Sequence, residues 1–285
     1  MTKLASGTPP RTISESDLES YHTDGYLIVR GMLSSDEVQT LAEHYLRVPQ
    51  RPSIAGVDGA DRSMAAGQPT DPRGHNAPTY PRLMQPHRYD DVSRRMILDR
   101  RIFDVLIDLM GEEPLAAQSM LFYKPPGTKG QAFHQDNFYL KVRPGTCVAA
   151  WVALDPTDEE NGALRLIPGT QNLPLDCPHK PEDASEYFNN SEVNLPGGFR
   201  KPVLARMAAG DVLFFGGSLI HGSLRNRSQA RWRRSLVLHY CPRSQTEQIA
   251  PFYQPLLTRD GREVRVDDSA SDAGPCGGDE GNNPG

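Results

Sequence analysis

An imidazole and a carboxylate stand two residues apart at His134 and Asp136, inside Gln131-Ala132-Phe133-His134-Gln135-Asp136-Asn137-Phe138-Tyr139. Residues i and i+2 of a strand project to one face, so on a strand this pair could grip one metal ion. Two ligands do not make a site, and with eight histidines in the chain one such pair is unremarkable. Downstream, Ala209-Gly210 feeds the apolar run Asp211-Val212-Leu213-Phe214-Phe215, which leads through Gly216-Gly217 to His221-Gly222-Ser223. A histidine at the end of a buried strand, beside glycine, fits a ligand that must approach a metal without crowding. Two histidines and one carboxylate are the donor set of the non-haem Fe(II) facial triad, which leaves positions open for a chelating co-substrate and O₂. About a dozen residues on, Arg231-Trp232-Arg233-Arg234-Ser235-Leu236-Val237-Leu238-His239-Tyr240 alternates like a strand, with Arg233, Ser235, Val237 and His239 on one face. A buried arginine there would pair bidentately with the far carboxylate of a dicarboxylic acid such as 2-oxoglutarate. His239, on that same face, reads as a core histidine rather than a ligand.

The elements that must hold these residues are legible from caps and periodicity. Ser14 to Asp17 opens a helix with a capping box, and Asp24-Gly25 ends it. Tyr26-Leu27-Ile28-Val29 reads as a short buried strand. Ser34 to Glu37 caps a second helix that carries Val38, Leu41, Ala42 and Tyr45 at helical spacing. Met96 to Met110 reads as one more helix, ended by Gly111. After Pro114 the pattern turns to strands: Leu115 to Tyr123, the His134/Asp136 stretch, Thr146 to Leu154, Ala163 to Ile167, Val203 to Met207, Asp211 to Phe215 and Arg233 to Tyr240. Many short strands between Gly/Pro turns point to a sandwich or barrel. Residues 1–13 read as a flexible N-terminus, 14–266 as one domain, and 267–285 as a disordered tail with almost nothing apolar. Two irregular excursions, 49–90 and 171–200, are expected to act as lid or substrate loops.

With 285 residues the chain has ample length for a core, and its 25 Gly and 25 Pro favour a loop- and strand-rich build over a helical bundle. A formal net charge of −5 argues against a nucleic-acid partner and suits a polycationic small-molecule substrate. No apolar run approaches a membrane span. Met1 to Gly7 has no apolar core of a secretory signal. Cys147, Cys177, Cys241 and Cys276 show no paired spacing and read as reduced thiols of a cytoplasmic protein.

The motifs Lys124-Pro125-Pro126-Gly127, His134-Gln135-Asp136, Ala150-Trp151-Val152-Ala153-Leu154, Asn161-Gly162-Ala163-Leu164, Ile167-Pro168-Gly169-Thr170 and His221-Gly222-Ser223, in this order, resemble the phytanoyl-CoA dioxygenase family of Fe(II)- and 2-oxoglutarate-dependent oxygenases. The resemblance covers roughly Ile13 to Pro242. It implies a mainly β fold with α, a double-stranded β-helix (a cupin-like jelly roll) buttressed by N-terminal helices. It implies Fe(2+) held by His134, Asp136 and His221, with 2-oxoglutarate and O₂ as co-substrates. The arginine for the distal carboxylate matches Arg233; Arg231 has the same parity and is its rival, while Arg234 points away. Gln131, Trp151 and Met120 match positions that line the co-substrate pocket. Related halogenases have a small residue where Asp136 stands, so a carboxylate there implies oxygenation. Substrate contacts are sought at Asn137, Tyr139, Glu159, Glu186 and the lid. Bacterial relatives of this size often tailor antibiotics, so an aminoglycoside intermediate oxidised at an aliphatic C–H is the expected substrate; another small natural product or a lipid-like acid is the alternative, and a metal-binding cupin without oxygenase activity is a third reading.

Overall fold

Two reciprocal capping boxes open the helical layer. Ser14 accepts from Asp17 N while the Asp17 carboxylate accepts from Ser14 N, and α1 (Glu15–Asp24) stops at Gly25, whose φ of 83° favours glycine. The strand β1 (Tyr26–Val29) follows, then α2 (Ser35–Tyr45), boxed by Ser34 and Glu37 and burying Val38, Leu41, Ala42 and Tyr45. The computed structural model describes residues 12–48, 82–189, 191–195 and 197–269. The expected lid therefore falls outside the described residues over 49–81, and the expected tail from 270 onward.

Where description resumes the chain is a strand, β2 (Arg82–Met84), and not irregular as the sequence suggests. The helix expected over Met96 to Met110 is two helices, α3 (Asp91–Ile97) and α4 (Arg100–Met110). Asp99 separates them: its ψ of 126° is extended and its side chain accepts from Arg101 N, the conformation and the bond of an N-cap. Then come β3 (Leu115–Phe122), β4 (Gln131–His134), α5 (Asn137–Leu140), β5 (Arg143–Pro144), β6 (Val148–Ala153), β7 (Leu164–Leu166), β8 (Val203–Leu204), β9 (Val212–Gly216), β10 (His221–Ser223), β11 (Ser235–Cys241), β12 (Thr246–Ile249), β13 (Leu256–Leu257), β14 (Glu263–Val264) and β15 (Asp267–Asp268).

The larger sheet runs β1-β9-β6-β11-β3-β13-β14, with β2 also on β3; the smaller runs β4-β10-β7-β8. Alternation along β6 and β11 shows how they stack. Val148, Ala150 and Val152, with Leu236, Leu238 and Tyr240, join the helices in one core that also holds Leu41, Phe103 and Leu106. Ala149, Trp151, Ala153 and Val237 point the other way, onto Leu164 and Leu166 of the smaller sheet. Both central strands are thus buried on both faces; β6 therefore reads as a nearly continuous apolar run, whereas β11 keeps Ser235 and His239 on one buried face and reads as alternating. The result is the double-stranded β-helix with a helical buttress that the motifs imply.

A third sheet, β15-β12-β5, corrects the start of the expected disorder. Asp267 and Asp268 pair in parallel with Gln248 and Ile249, and Ser269 Oγ donates to Lys141 O. Backbone pairing needs no apolar side chain, so composition alone misreads these residues. The thiol reading is corrected too: Cys147 and Cys241 are free and buried, but Cys177 is disulfide-bonded. No helix among the described residues is long and apolar enough to cross a membrane.

Candidate metal centre

Strands β4 and β10 are antiparallel neighbours in the smaller sheet, and their register places His221 opposite His134. The two rings lie 4.2 Å apart, centroid to centroid. Gly222 makes the pairing close, since a Cβ there would stand 2.9 Å from Gln131 O on the neighbouring strand. Asp136 is not on the strand. β4 ends at His134, and Asp136 has helical φ and ψ of −60° and −35° as the residue before α5. The residues expected to continue a strand form that short helix instead, because Leu140 and Val142 must turn into an apolar cluster with Cys147 and Tyr253.

The bend still delivers the carboxylate. His134, Asp136 and His221 offer ligand atoms all within 4.8 Å of one another, and all three are buried. Asp136 Oδ1 is 3.4 Å from His134 Nε2 and 3.6 Å from His221 Nε2. Nδ1 of His134 lies 2.9 Å from Ala132 O, and Nδ1 of His221 lies 3.0 Å from Leu219 O. A carbonyl can only accept, so both rings carry their proton on Nδ1 and leave the Nε2 lone pair toward the common point. Burial pushes His221 down to about 4, partly offset by Asp136, so the ring is neutral near pH 7. Burial alone would raise Asp136, but His221 and His239 outweigh it and hold the carboxyl well below its usual range. Two imidazole nitrogens around one carboxylate fit a divalent first-row metal, Fe(II) among them.

His239, expected as a core histidine, also touches the site. It is a core residue, 1% exposed, but its Nε2 lies 2.9 Å from Asp136 Oδ2. Gln131 Nε2 stands 3.1 Å from His134 Nε2, and Met120, Trp151 and Tyr139 line the same cavity as the triad. Gln118 lies in that wall as well; its Oε1 is buried and, among the described residues, has no hydrogen-bond partner, as is true of Nδ1 of His239.

A second pocket abuts the first through Gln131, Trp151, Leu164 and Phe122, and Arg233 lies in its wall. Arg233 is 3% exposed, precedes β11, and exchanges backbone hydrogen bonds with Lys124. Its Nη1 donates to Ser235 Oγ at 2.8 Å, its guanidinium sits 5.3 Å from the Trp151 ring centroid, and its Nε has no partner among the described residues. Burial, countered in part by Asp155, pushes it down to about 10, still charged near neutrality. No carboxylate pairs with it among the described residues: Asp155 is taken by Arg234, at 2.9 Å to Nε and 2.7 Å to Nη2. Arg231, the rival, points to solvent and pairs with Asp158 and Glu160.

Two further residues of this pocket were not singled out from the sequence. Lys124 is 2% exposed and donates to Ser223 Oγ at 3.0 Å and to Leu224 O at 2.6 Å. Burial, then the charges of Arg233 and Arg165, hold its ammonium well below the usual lysine range. Gly162 makes room for it, since a Cβ there would stand 2.9 Å from Lys124 Cδ. The signal was present in the Lys124-Pro125 and His221-Gly222-Ser223 motifs, but nothing local says that the two meet.

Three expected substrate contacts lie elsewhere. Asn137 braces its own loop through Val142 N and O, Glu186 pairs with Arg225 and Arg227, and Glu159 is exposed beside Arg206.

A buried His–Asp–His set between the sheets of a double-stranded β-helix could hold a metal ion. The family described as phytanoyl-CoA dioxygenase (PhyH) matches residues 21–235, and the chain belongs to it. The peroxisomal phytanoyl-CoA dioxygenase of Mus musculus is 26% identical over 232 residues, covering 77% of this chain and 66% of that protein. Phytanoyl-CoA dioxygenase 1 of Oryza sativa subsp. japonica is 29% identical over 154 residues, 54% of each chain. The chain thus spans about two thirds or less of the length of these relatives. Ectoine dioxygenase of Bordetella bronchiseptica is 27% identical over 241 residues, covering 79% of this chain and 74% of that one. Among solved structures, EctD from S. alaskensis with 2-oxoglutarate and 5-hydroxyectoine aligns with a TM-score of 0.63 at 23% identity, over 92% of this chain and 90% of that one. The epimerase SnoN in complex with Fe3+, alpha ketoglutarate and nogalamycin RO aligns with a TM-score of 0.59 at 23% identity, over 80% and 82%. These structural likenesses speak to the fold.

Proposed function

We propose that the chain is an Fe(II)- and 2-oxoglutarate-dependent dioxygenase that oxidises an aliphatic C–H bond of a small molecule. Arg233 carries the reading: a buried guanidinium without a carboxylate partner among the described residues, in a pocket that opens onto the triad. A buried charge left unpaired is costly, and an incoming carboxylate removes that cost. A cupin that merely stores metal has no use for it. His134, Asp136 and His221 would hold the iron through two Nε2 atoms and Oδ1. Arg233 takes the far carboxylate of 2-oxoglutarate, with Lys124 and Ser223 as further donors; Lys124 makes two hydrogen bonds and has a third to give. Trp151 and Met120 wall the co-substrate, and the Gln131 amide stands where its keto-acid end would lie. Bound iron supplies O₂ activation, while the protein orients the target carbon and excludes water.

The substrate we favour is an aminoglycoside intermediate such as kanamycin B, oxidised at an amino-bearing carbon that then loses ammonia. Two features support it. Gln118 Oε1 and His239 Nδ1 are buried acceptors that a hydroxyl or ammonium can satisfy, and structural neighbours include the nogalamycin-biosynthesis enzymes SnoN and SnoK. One observation favours a second reading, a lipid-like or other acid: the relatives the chain matches include the peroxisomal phytanoyl-CoA dioxygenase of Mus musculus, 26% identical over 232 residues. Succinate release is measured with Fe(II), 2-oxoglutarate and two panels, aminoglycosides and branched or cyclic carboxylic acids. Turnover coupled to the first supports the aminoglycoside assignment, turnover coupled to the second replaces it, and an inert protein whose 2-oxoglutarate does not bind refutes the class.

A further inference from the structure

We propose that His239 is a positioning residue for the metal centre: its Nε2–H pins Asp136 by Oδ2, so that the carboxylate meets the metal through Oδ1 alone. The inference rests on the metal-centre reading above. Three imidazoles surround Asp136, and they fall into two tautomers. His134 and His221 spend Nδ1–H on backbone carbonyls and present Nε2 lone pairs, 3.4 and 3.6 Å from Oδ1. His239 is reversed. Its Nε2 faces Oδ2 at 2.9 Å, a carboxylate oxygen that can only accept, and its Nδ1 has no partner among the described residues. Its proton therefore sits on Nε2, and that nitrogen has no lone pair for a metal. The three rings are near one another, yet hydrogen bonding sorts them into two ligands and one clamp.

Asp136 needs an external clamp because its own segment supplies none. It lies past the end of β4, and its side chain caps no backbone N–H of α5. His239, by contrast, is fixed within β11 between its neighbours Gln118 on β3 and Ala149 on β6. The larger sheet thereby orients a ligand presented by the segment between β4 and α5. Without the clamp, Oδ2 is free to rotate toward the metal and chelate with Oδ1, filling a position that a triad site leaves open.

Wild-type protein, His239→Gln, His239→Leu and His239→Asn are each titrated with Co(II), followed in the visible d–d bands, with thermal unfolding of the metal-free proteins as a fold control. Glutamine Nε2 reaches the place of histidine Nε2 and donates; leucine cannot donate, and asparagine is too short to reach. The expected result is a loss of Co(II) affinity of about 10- to 100-fold for Leu and Asn with altered d–d bands, while Gln stays within about threefold of wild type with wild-type bands. Should Leu unfold, Asn carries the comparison alone. Wild-type affinity and bands in Leu or Asn overturn the clamp, and so does a Gln variant no better than Leu. Failure of the wild type to bind Co(II) would instead overturn the metal-centre reading from which the clamp follows.

Discussion

Replacing Arg233 by leucine removes the cation proposed to bind the far carboxylate of 2-oxoglutarate. The guanidinium is 3% exposed and has no carboxylate competitor among the described residues, so a bound dicarboxylate receives its full fork. A hydrogen bond to a charged group contributes about 1.5–3 kcal/mol, and a fork makes two. Lys124 stays in the pocket and retains part of the attraction, which brings the net loss to about 3–4 kcal/mol, or roughly 10²- to 10³-fold in affinity at ~1.4 kcal/mol per tenfold. Arg233→Lys keeps a charge but loses the fork and the contact with Trp151, and falls between, at roughly 10- to 50-fold. Arg231→Ala is the control: its ion pairs with Asp158 and Glu160 are exposed and worth about 0–1 kcal/mol, so 2-oxoglutarate affinity is unchanged. The assay is calorimetric titration of 2-oxoglutarate into Mn(II)-loaded protein, with KM from succinate release alongside. An Arg233→Leu variant that binds 2-oxoglutarate within about threefold of wild type, against the roughly 10² expected from a lost fork, refutes the assignment; a large loss in Arg231→Ala would move it to the rival.

Two more outcomes follow from buried charges. Burial and two neighbouring arginines hold Lys124 well below its ordinary range, and an arriving carboxylate reverses that, so 2-oxoglutarate binding takes up a proton at pH values between that lowered range and the ordinary lysine range. Calorimetry in buffers of different ionisation enthalpy measures the uptake, and Lys124→Met abolishes it while weakening binding about tenfold through a lost charged hydrogen bond. His87, 3% exposed against Ser119, is pushed from 6.5 to about 3 by burial, then by Arg88 and Arg94. Its folded form refuses a proton that the unfolded chain accepts, so its contribution to stability is intact above about pH 6.5 and is lost progressively as pH falls toward 3, at about 1.4 kcal/mol per pH unit at most. Urea unfolding at pH 7 and pH 5 shows this as a smaller acid loss in His87→Gln than in wild type; equal slopes contradict it.

The sequence by itself determined the local devices. Ser14 with Asp17 and Ser34 with Glu37 opened helices as written, because a capping box is closed within four residues. The runs that became β6 and β9 were legible because both faces are apolar, and β11 because it alternates. Parity along β11 separated Arg233 from Arg234, since a strand has only two faces and Arg234 turns to Asp155. The break at Asp99 and the strand at Asp267–Asp268 escaped, one because a mid-helix aspartate reads as a solvated face, the other because its pairing is purely backbone.

Tertiary structure decided everything that depends on which distant segments meet. His134 and Asp136 were paired from the sequence by strand periodicity, yet Asp136 lies beyond the strand, and its carboxylate arrives because α5 folds back. Lys124 and Ser223 lie 99 residues apart and share a pocket only because Gly162 leaves room for the lysine stem. His239 and Asp136, 103 residues apart, meet where the two sheets face each other. Spacing in sequence fixes which residue types can share a strand face. The direction of a hydrogen bond, and so the tautomer that makes one histidine a ligand and another a clamp, is fixed only once the neighbouring strand is in place.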